Sequence, residues 1–257
     1  MARNYALGWE QYSPGKAAHK VKAVKDLKLK RGKLAKPMMA ILFTWGIMVC
    51  LADTSDGQAK KAAPSDDTQS WNEIQVTIPL RRQVDLILLG HVRIGRDVSH
   101  FVDERTGASF SFKVGKFLAL APGYLYRSDQ PVAGQHNHEH RLTFAGTLRI
   151  PLGHFTLSDR NLFERRWRAP SDSVRYRNRL QLEHPIKLGG AALRLFVNDE
   201  VFYDWSVNRW ARNRFAVGGS KTFSEHLTTD LYYMRQNDGV SHPGDLHIIG
   251  VVFRIRL

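Results

Sequence analysis

From about residue 70 onward, apolar and polar side chains alternate with a period of two. The clearest stretch is 141–150. Leu142, Phe144, Gly146, Leu148 and Ile150 fall on one face, and Arg141, Thr143, Ala145, Thr147 and Arg149 on the other. Such a pattern predicts a strand with one apolar and one wet face. The C-terminus repeats it, with His247, Ile249, Val251, Phe253, Ile255 and Leu257 against Ile248, Gly250, Val252, Arg254 and Arg256. Residues 74–80 do the same through Ile74, Val76, Ile78 and Leu80.

Turn residues punctuate these runs at near-regular spacing. Short turns are expected around Gly115, Gly153, Gly189 and Ser224, with 77–86 as an earlier copy. Longer polar connections are expected near 95–100, 127–139, 168–173, 205–209 and 237–244. Short turns alternating with longer loops are the pattern of an up-and-down transmembrane barrel. Counting runs gives eleven candidate strands. Bacterial barrels usually have an even number, so the expectation is an all-β, antiparallel up-and-down transmembrane β-barrel of about 12 strands (10–12).

The front of the chain has another character. Residues 38–52 form an apolar run between Lys36 and Asp53. It is too short for a spanning helix, which needs ~20 residues, and suits a signal-peptide core of ~7–15. Residues 1–52 are read as a basic n-region and cleavable signal peptide, with cleavage after Ala52 or Ala59. An uncleaved anchor and a lipoprotein signal at Cys50 are the rival readings; Val49 is bulkier than the small residue that lipoprotein processing prefers. Residues 53–69 are polar, small and Pro-containing, and read as a disordered lead-in. The barrel is assigned to 70–257.

Charge sharpens this division. Residues 1–52 hold ten Lys or Arg against two acids, so they supply +8 of the net +14. The remainder is arginine-rich, with 22 Arg and 6 Lys. A basic N-terminal arm could also mark a soluble nucleic-acid-binding protein, but a cleaved arm could not serve the mature chain, and no nucleic-acid partner is expected. The single cysteine, Cys50, leaves no intrachain disulfide and no thiolate metal site.

In 174–182 the charged face carries Arg175, Arg177, Arg179 and Gln181, and the other face Val174, Tyr176, Asn178, Leu180 and Leu182. A one-residue slip would turn three arginines toward lipid, at ~2–4 kcal/mol each near the midplane. The register is therefore fixed with arginines toward water. Aromatic residues such as Phe117, Tyr124, Tyr126, Tyr203 and Trp210 fall near expected strand ends, where an interfacial girdle would sit.

The segments GHFTLSDRNLFERR (153–166), RYRNRLQL (175–182), FVNDEVFYDW (196–205) and DLHIIGVVFRIRL (245–257) resemble a bacterial family, domain of unknown function 2490. The resemblance covers roughly 70–257 and implies an outer-membrane barrel, with no activity to carry over. The last strand also resembles the C-terminal signal read by the barrel-assembly machinery, through Gly250, Phe253 and Ile255. Leu257 stands where a terminal aromatic is usual. The expected partners are outer-membrane lipid and that machinery, and the expected location is the outer membrane.

Candidate chemistry is sparse. A lumen charge ladder is assigned to Arg160, Arg165, Arg175, Arg177, Arg179, Asp199 and Glu200. It would stiffen a wet interior or, where arginines are unpaired, attract anions. His136, His138 and His140, spaced by two in 134–141, are weak metal candidates if extended. Ser158, His154 and Asp159 would be the raw material of an envelope-lipid-modifying enzyme, yet Asp159 points opposite to the other two. No catalytic residue and no cofactor is assigned. A small channel with an Arg-rich polar lumen is the leading functional reading.

Overall fold

The computed structural model describes residues 66–130, 134–241 and 243–257. Eleven strands follow one another: β1 (Asp66–Arg81), β2 (Val84–Gly95), β3 (His100–Val114), β4 (Leu118–Asp129), β5 (Asn137–Leu152), β6 (Phe155–Arg168), β7 (Ser173–Leu188), β8 (Ala191–Asp204), β9 (Arg209–Thr222), β10 (Leu227–Asp238) and β11 (Asp245–Arg256). They close into a barrel in which each strand pairs with its sequence neighbours and β1 pairs with β11.

The barrel has eleven strands among the described residues, the number of runs counted in the sequence and within the expected 10–12, so only the even-number preference for twelve gives way. With an odd number, the first and last strands run the same way, so β1 and β11 pair in parallel while all other pairs are antiparallel. The strand also starts earlier than assigned. Asp66–Gln69, given to the lead-in, already pair with Asp245–Ile248. Asp67 is buried there and accepts the backbone N–H groups of Arg96 (3.0 Å) and Asp97 (2.9 Å). Those two residues and Val98 all have positive φ, so the carboxylate holds a turn that side chains of this kind rarely adopt. The proposed signal peptide lies outside the described residues.

The connections fall as the turn residues predicted. At one rim the links are 82–83, 115–117, 153–154, 189–190 and 223–226; at the other they are 96–99, 130–136, 169–172, 205–208 and 239–244. These are called the turn rim and the loop rim. One two-residue link is Gly189-Gly190, with φ of 55° and 80°. Two successive positive-φ residues match a hairpin turn to the right-handed twist of its strands, and glycine takes that conformation without strain.

Alternation along each strand separates the two surfaces. Odd positions of β1–β5 and β7, and even positions of β6 and β8–β11, line the interior cavities. The opposite positions carry large apolar side chains on the outside, among them Leu142 (53 % exposed), Phe144 (49 %), Leu231 (59 %) and Ile249 (58 %). The usual arrangement of a small soluble barrel, apolar inside and polar outside, is thus largely reversed. One apolar patch does lie inside. Trp71, Leu246 and Ile248 are buried beside the β1–β11 seam, with Tyr232 and Met234 packed against them.

Tyr232 explains two glycines. Its cross-strand partners are Gly218 on β9 and Gly250 on β11. A Cβ on Gly218 would lie 2.7 Å from Tyr232 Cβ, and one on Gly250 would lie 2.5 Å from Tyr232 Cε1 and closer still to the ring's tip. At Gly250 the aromatic ring fills the space a side chain would need, while at Gly218 Leu231 O (2.5 Å) and Phe196 Cζ (2.6 Å) crowd the position as well.

Candidate functional site: the charged lumen

The interior charges form a continuous belt. It starts on β3, where Asp103 accepts Arg105 Nε (2.7 Å) and also holds Arg127 of β4. Arg127 reaches on to Asp129 (3.2 Å) and to Glu139 of β5 (3.5 Å). Glu139 accepts both Nε and Nη2 of Arg141 (2.9 Å each), and it also pairs with Arg166 of β6. Arg166 then crosses to Asp204 of β8 at 3.1 Å.

A second carboxylate carries the belt further round. Glu164 on β6 is ringed by three guanidiniums: Arg175 (Nε at 2.6 Å), Arg177 (3.1 Å) and Arg141 (3.6 Å). Arg177 continues to Glu200 on β8 (2.8 Å), and Glu200 meets Arg214 on β9 (3.8 Å). Arg214 donates to Gln236 of β10 at 2.8 Å. Alternation delivers each of these side chains to the same interior surface, and the register sets Glu139 opposite Arg127, Glu164 opposite Arg175 and Glu200 opposite Arg214. Glu139, Arg141 and Glu164 are each 2 % exposed. A charge at that depth is stable only when paired and hydrogen-bonded, which this belt achieves.

Two aromatic rings sit among the arginines. Phe202, inward on β8 and 1 % exposed, has Arg177 and Arg214 at 4.7 and 4.8 Å from its centroid, and Arg175 and Arg212 at 5.3 and 5.5 Å. Arg93 lies 3.3 Å from the Trp71 centroid and Arg214 4.8 Å from it. Guanidiniums over ring faces gain from the ring quadrupole when water is thin. Belt and rings narrow the lumen. On the loop side lies a cavity of about 370 Å³ and on the turn side one of about 500 Å³. Arg93, Arg105, Arg141, Arg177 and Arg214 line both. The turn-side cavity is lined by nine arginines against five carboxylates, an excess of four positive charges.

The residues assigned from sequence divide three ways. Arg160, Arg175, Arg177, Arg179 and Glu200 face the lumen. Arg165 and Asp199 do not, and their place in the ladder is corrected. Arg165 sits on the outer face of β6, half exposed, and pairs with Asp172 at 3.2 Å. Asp199 is exposed, between the cavity-lining Asn198 and Glu200, and accepts Asn213 Nδ2 at 2.9 Å. Both lie one position out of phase with the inward side chains, which charge alone does not reveal. Asp199 has company on this outer wall: Asp159 accepts Asn178 Nδ2 (2.6 Å) and Asn161 Nδ2 (3.2 Å).

The remaining candidates are not gathered into sites. His138 and His140 point outward and contact the hydroxyls of Tyr126 (2.8 Å) and Tyr124 (2.5 Å), while Glu139 between them joins the belt. His136 precedes β5. Among the described residues no group of three His, Cys, Asp or Glu is placed to hold a metal ion. Ser158 and Asp159 fall on opposite faces of β6, and Asp159 is engaged by Asn178 and Asn161. No hydrolytic triad forms from them. In the last strand Gly250 points inward at Tyr232, whereas Phe253 and Ile255 lie on the opposite alternation. Leu257 follows them at the turn rim, its N–H donating to Thr77 O at 3.0 Å.

Sequence reasoning missed the half of the belt on β2–β5: Arg93, Asp103, Arg105, Arg127, Glu139 and Arg141. The signal was present in HVRIG (91–95) and DERTG (103–107), where charges recur at every second position.

Comparison with known proteins places a family model, described as "Protein of unknown function (DUF2490)", on residues 68–246. No curated protein matches the chain. The solved structure of the anion-selective porin from Comamonas acidovorans is similar over 68 % of this chain and 54 % of its own, at 13 % identity and a TM-score of 0.35. The chain thus spans about half the length of that porin.

Proposed function

The chain belongs to the DUF2490 family, and on that premise we propose that it is an outer-membrane β-barrel with a narrow, arginine-lined lumen that passes small anions. The observation that carries this reading is the reversal of the two surfaces. Large apolar side chains cover the outside while paired charges fill the inside. In water that outer wall, apolar apart from the patch of Asp159, Asn161, Asn178, Asp199 and Asn213, would expose far more apolar surface than soluble monomers do. Against hydrocarbon it is the expected solution, because a closed barrel leaves no unpaired backbone edge.

The lumen's excess of positive charge favours anions over cations, since fields focus in a cleft with low-dielectric walls. The belt across the middle keeps the path narrow, so conductance is small. The test is the current through planar bilayers holding the full chain purified in detergent. A small ohmic current whose reversal potential favours chloride over potassium supports the proposal. A silent bilayer removes the channel part. A protein that stays monodisperse and folded in buffer without detergent removes the membrane part as well.

A further inference from the structure

Two arginines in the turn-side cavity stand apart from the belt. Of the nine that line it, seven reach a carboxylate: Arg93, Arg105, Arg141, Arg177, Arg194, Arg214 and Arg254. Among the described residues, Arg160 and Arg179 reach none. They are direct cross-strand partners on β6 and β7, and Arg179 also stands opposite Glu200 of β8 without coming within ion-pair distance of it.

Four of the cavity's five carboxylates are held by other arginines. Glu164 and Glu200 belong to the belt, Glu183 takes Arg149 (2.7 Å) and Arg194 (3.5 Å), and Asp230 takes Arg254 and the Ser220 hydroxyl. Among the described residues Glu73 has only His91 within ion-pair distance, at 3.8 Å, and its charge and that of Glu200 act on both arginines across the cavity without direct contact. The pair therefore presents two guanidiniums that touch no carboxylate to a cavity of about 500 Å³ in which nine arginines outnumber five carboxylates. Guanidinium forks match the oxygens of phosphate groups in geometry and charge.

We propose that Arg160 and Arg179 form a binding site for a small divalent oxyanion of the phosphate class, free or as a compact phosphate ester. The valence follows from the cavity's excess of positive charge and from two guanidiniums free of direct carboxylate contact. The size follows from the cavity and from the belt that closes it on the loop side. The site rests on the barrel having a wet interior and does not require conduction.

The test is calorimetric titration of the full chain in detergent with inorganic phosphate and with glycerol phosphate, at fixed ionic strength, with chloride as the monovalent control. Saturable binding of one anion per barrel is expected, weakened at least roughly tenfold, about 1.4 kcal/mol, in the R160Q/R179Q double variant. Arg149→Gln, which removes an arginine already paired with Glu183, should leave binding unchanged. The R160K/R179K variant keeps the charge without the fork, so it should bind more weakly than the parent and more tightly than the glutamine variant. Absence of saturable binding, or equal binding by the lysine and glutamine variants and the parent, overturns the site. Phosphate binding without current would defeat the channel reading alone. Anion current without saturable phosphate binding would defeat this site alone.

Discussion

Replacing Gly250 with alanine sets a methyl group against the Tyr232 ring. The new Cβ would lie 2.5 Å from Cε1 and nearer still to the ring's tip, where ordinary carbon contacts begin at ~3.5 Å. The ring has little freedom to withdraw. Gly218 flanks it on the other strand, with Trp71, Leu246, Ile248 and Met234 packed around it. Overpacking of this kind costs about 1–3 kcal/mol. The assay is urea unfolding of the barrel in lipid vesicles, followed by tryptophan fluorescence, with Trp71 in the affected cluster as one reporter. Tyr232 is only partly buried, so Tyr232→Ala alone should cost less than the ~3–5 kcal/mol of emptying a fully buried aromatic site. In that background Gly250→Ala should cost almost nothing, so the double-mutant cycle should show a coupling close to the whole clash. A neutral Gly250→Ala in the parent, or an equal cost in both backgrounds, would refute the packing argument. It would also return Gly250 to a role in assembly alone.

Two further substitutions probe the inner and outer surfaces. Glu164→Gln leaves Arg141, Arg175 and Arg177 crowded around a neutral amide. Losing one partner of a buried ion pair costs about 3–5 kcal/mol, and an unchanged urea midpoint would show that the belt contributes nothing to stability. Phe144→Arg on the outer face should cost about 2–4 kcal/mol in lipid vesicles if that position lies near the midplane. If the arginine is tolerated there within experimental error, the wall does not meet hydrocarbon at that height.

Much of the fold was legible because its information is local. Ten successive residues at 141–150 obey a period of two, and the structure places Arg141, Thr143, Ala145 and Thr147 on the cavity. Turns at Gly115, Gly153 and Gly189 all have positive φ, the backbone requirement that makes glycine a punctuation mark. The count of eleven runs was legible and the even-number rule displaced it; the parallel closure of β1 on β11 was not, because no local pattern encodes that pairing. The site was half legible. Arginines at 175, 177 and 179 recur with the strand period, so their shared face was evident. Which of them find carboxylates depends on register across strands, and this separates Arg175 and Arg177 from Arg179. Arg165 and Asp199 were misplaced because they were grouped by charge when phase along the strand decides the face.

The parallel seam bears on how the molecule is made. Arg256 donates to Asp85 across 171 positions of sequence, and the whole β1–β11 ladder spans comparable distances along the chain. Contacts so remote carry the largest loop-closure entropy and form slowly. Every other pair can zip from its own hairpin or neighbour, so the cylinder stays an open, curling sheet with two bare edges until the final strand arrives. A chain lacking β11 should therefore stall with the first strand unprotected, ready to add a strand from another molecule in place of its own.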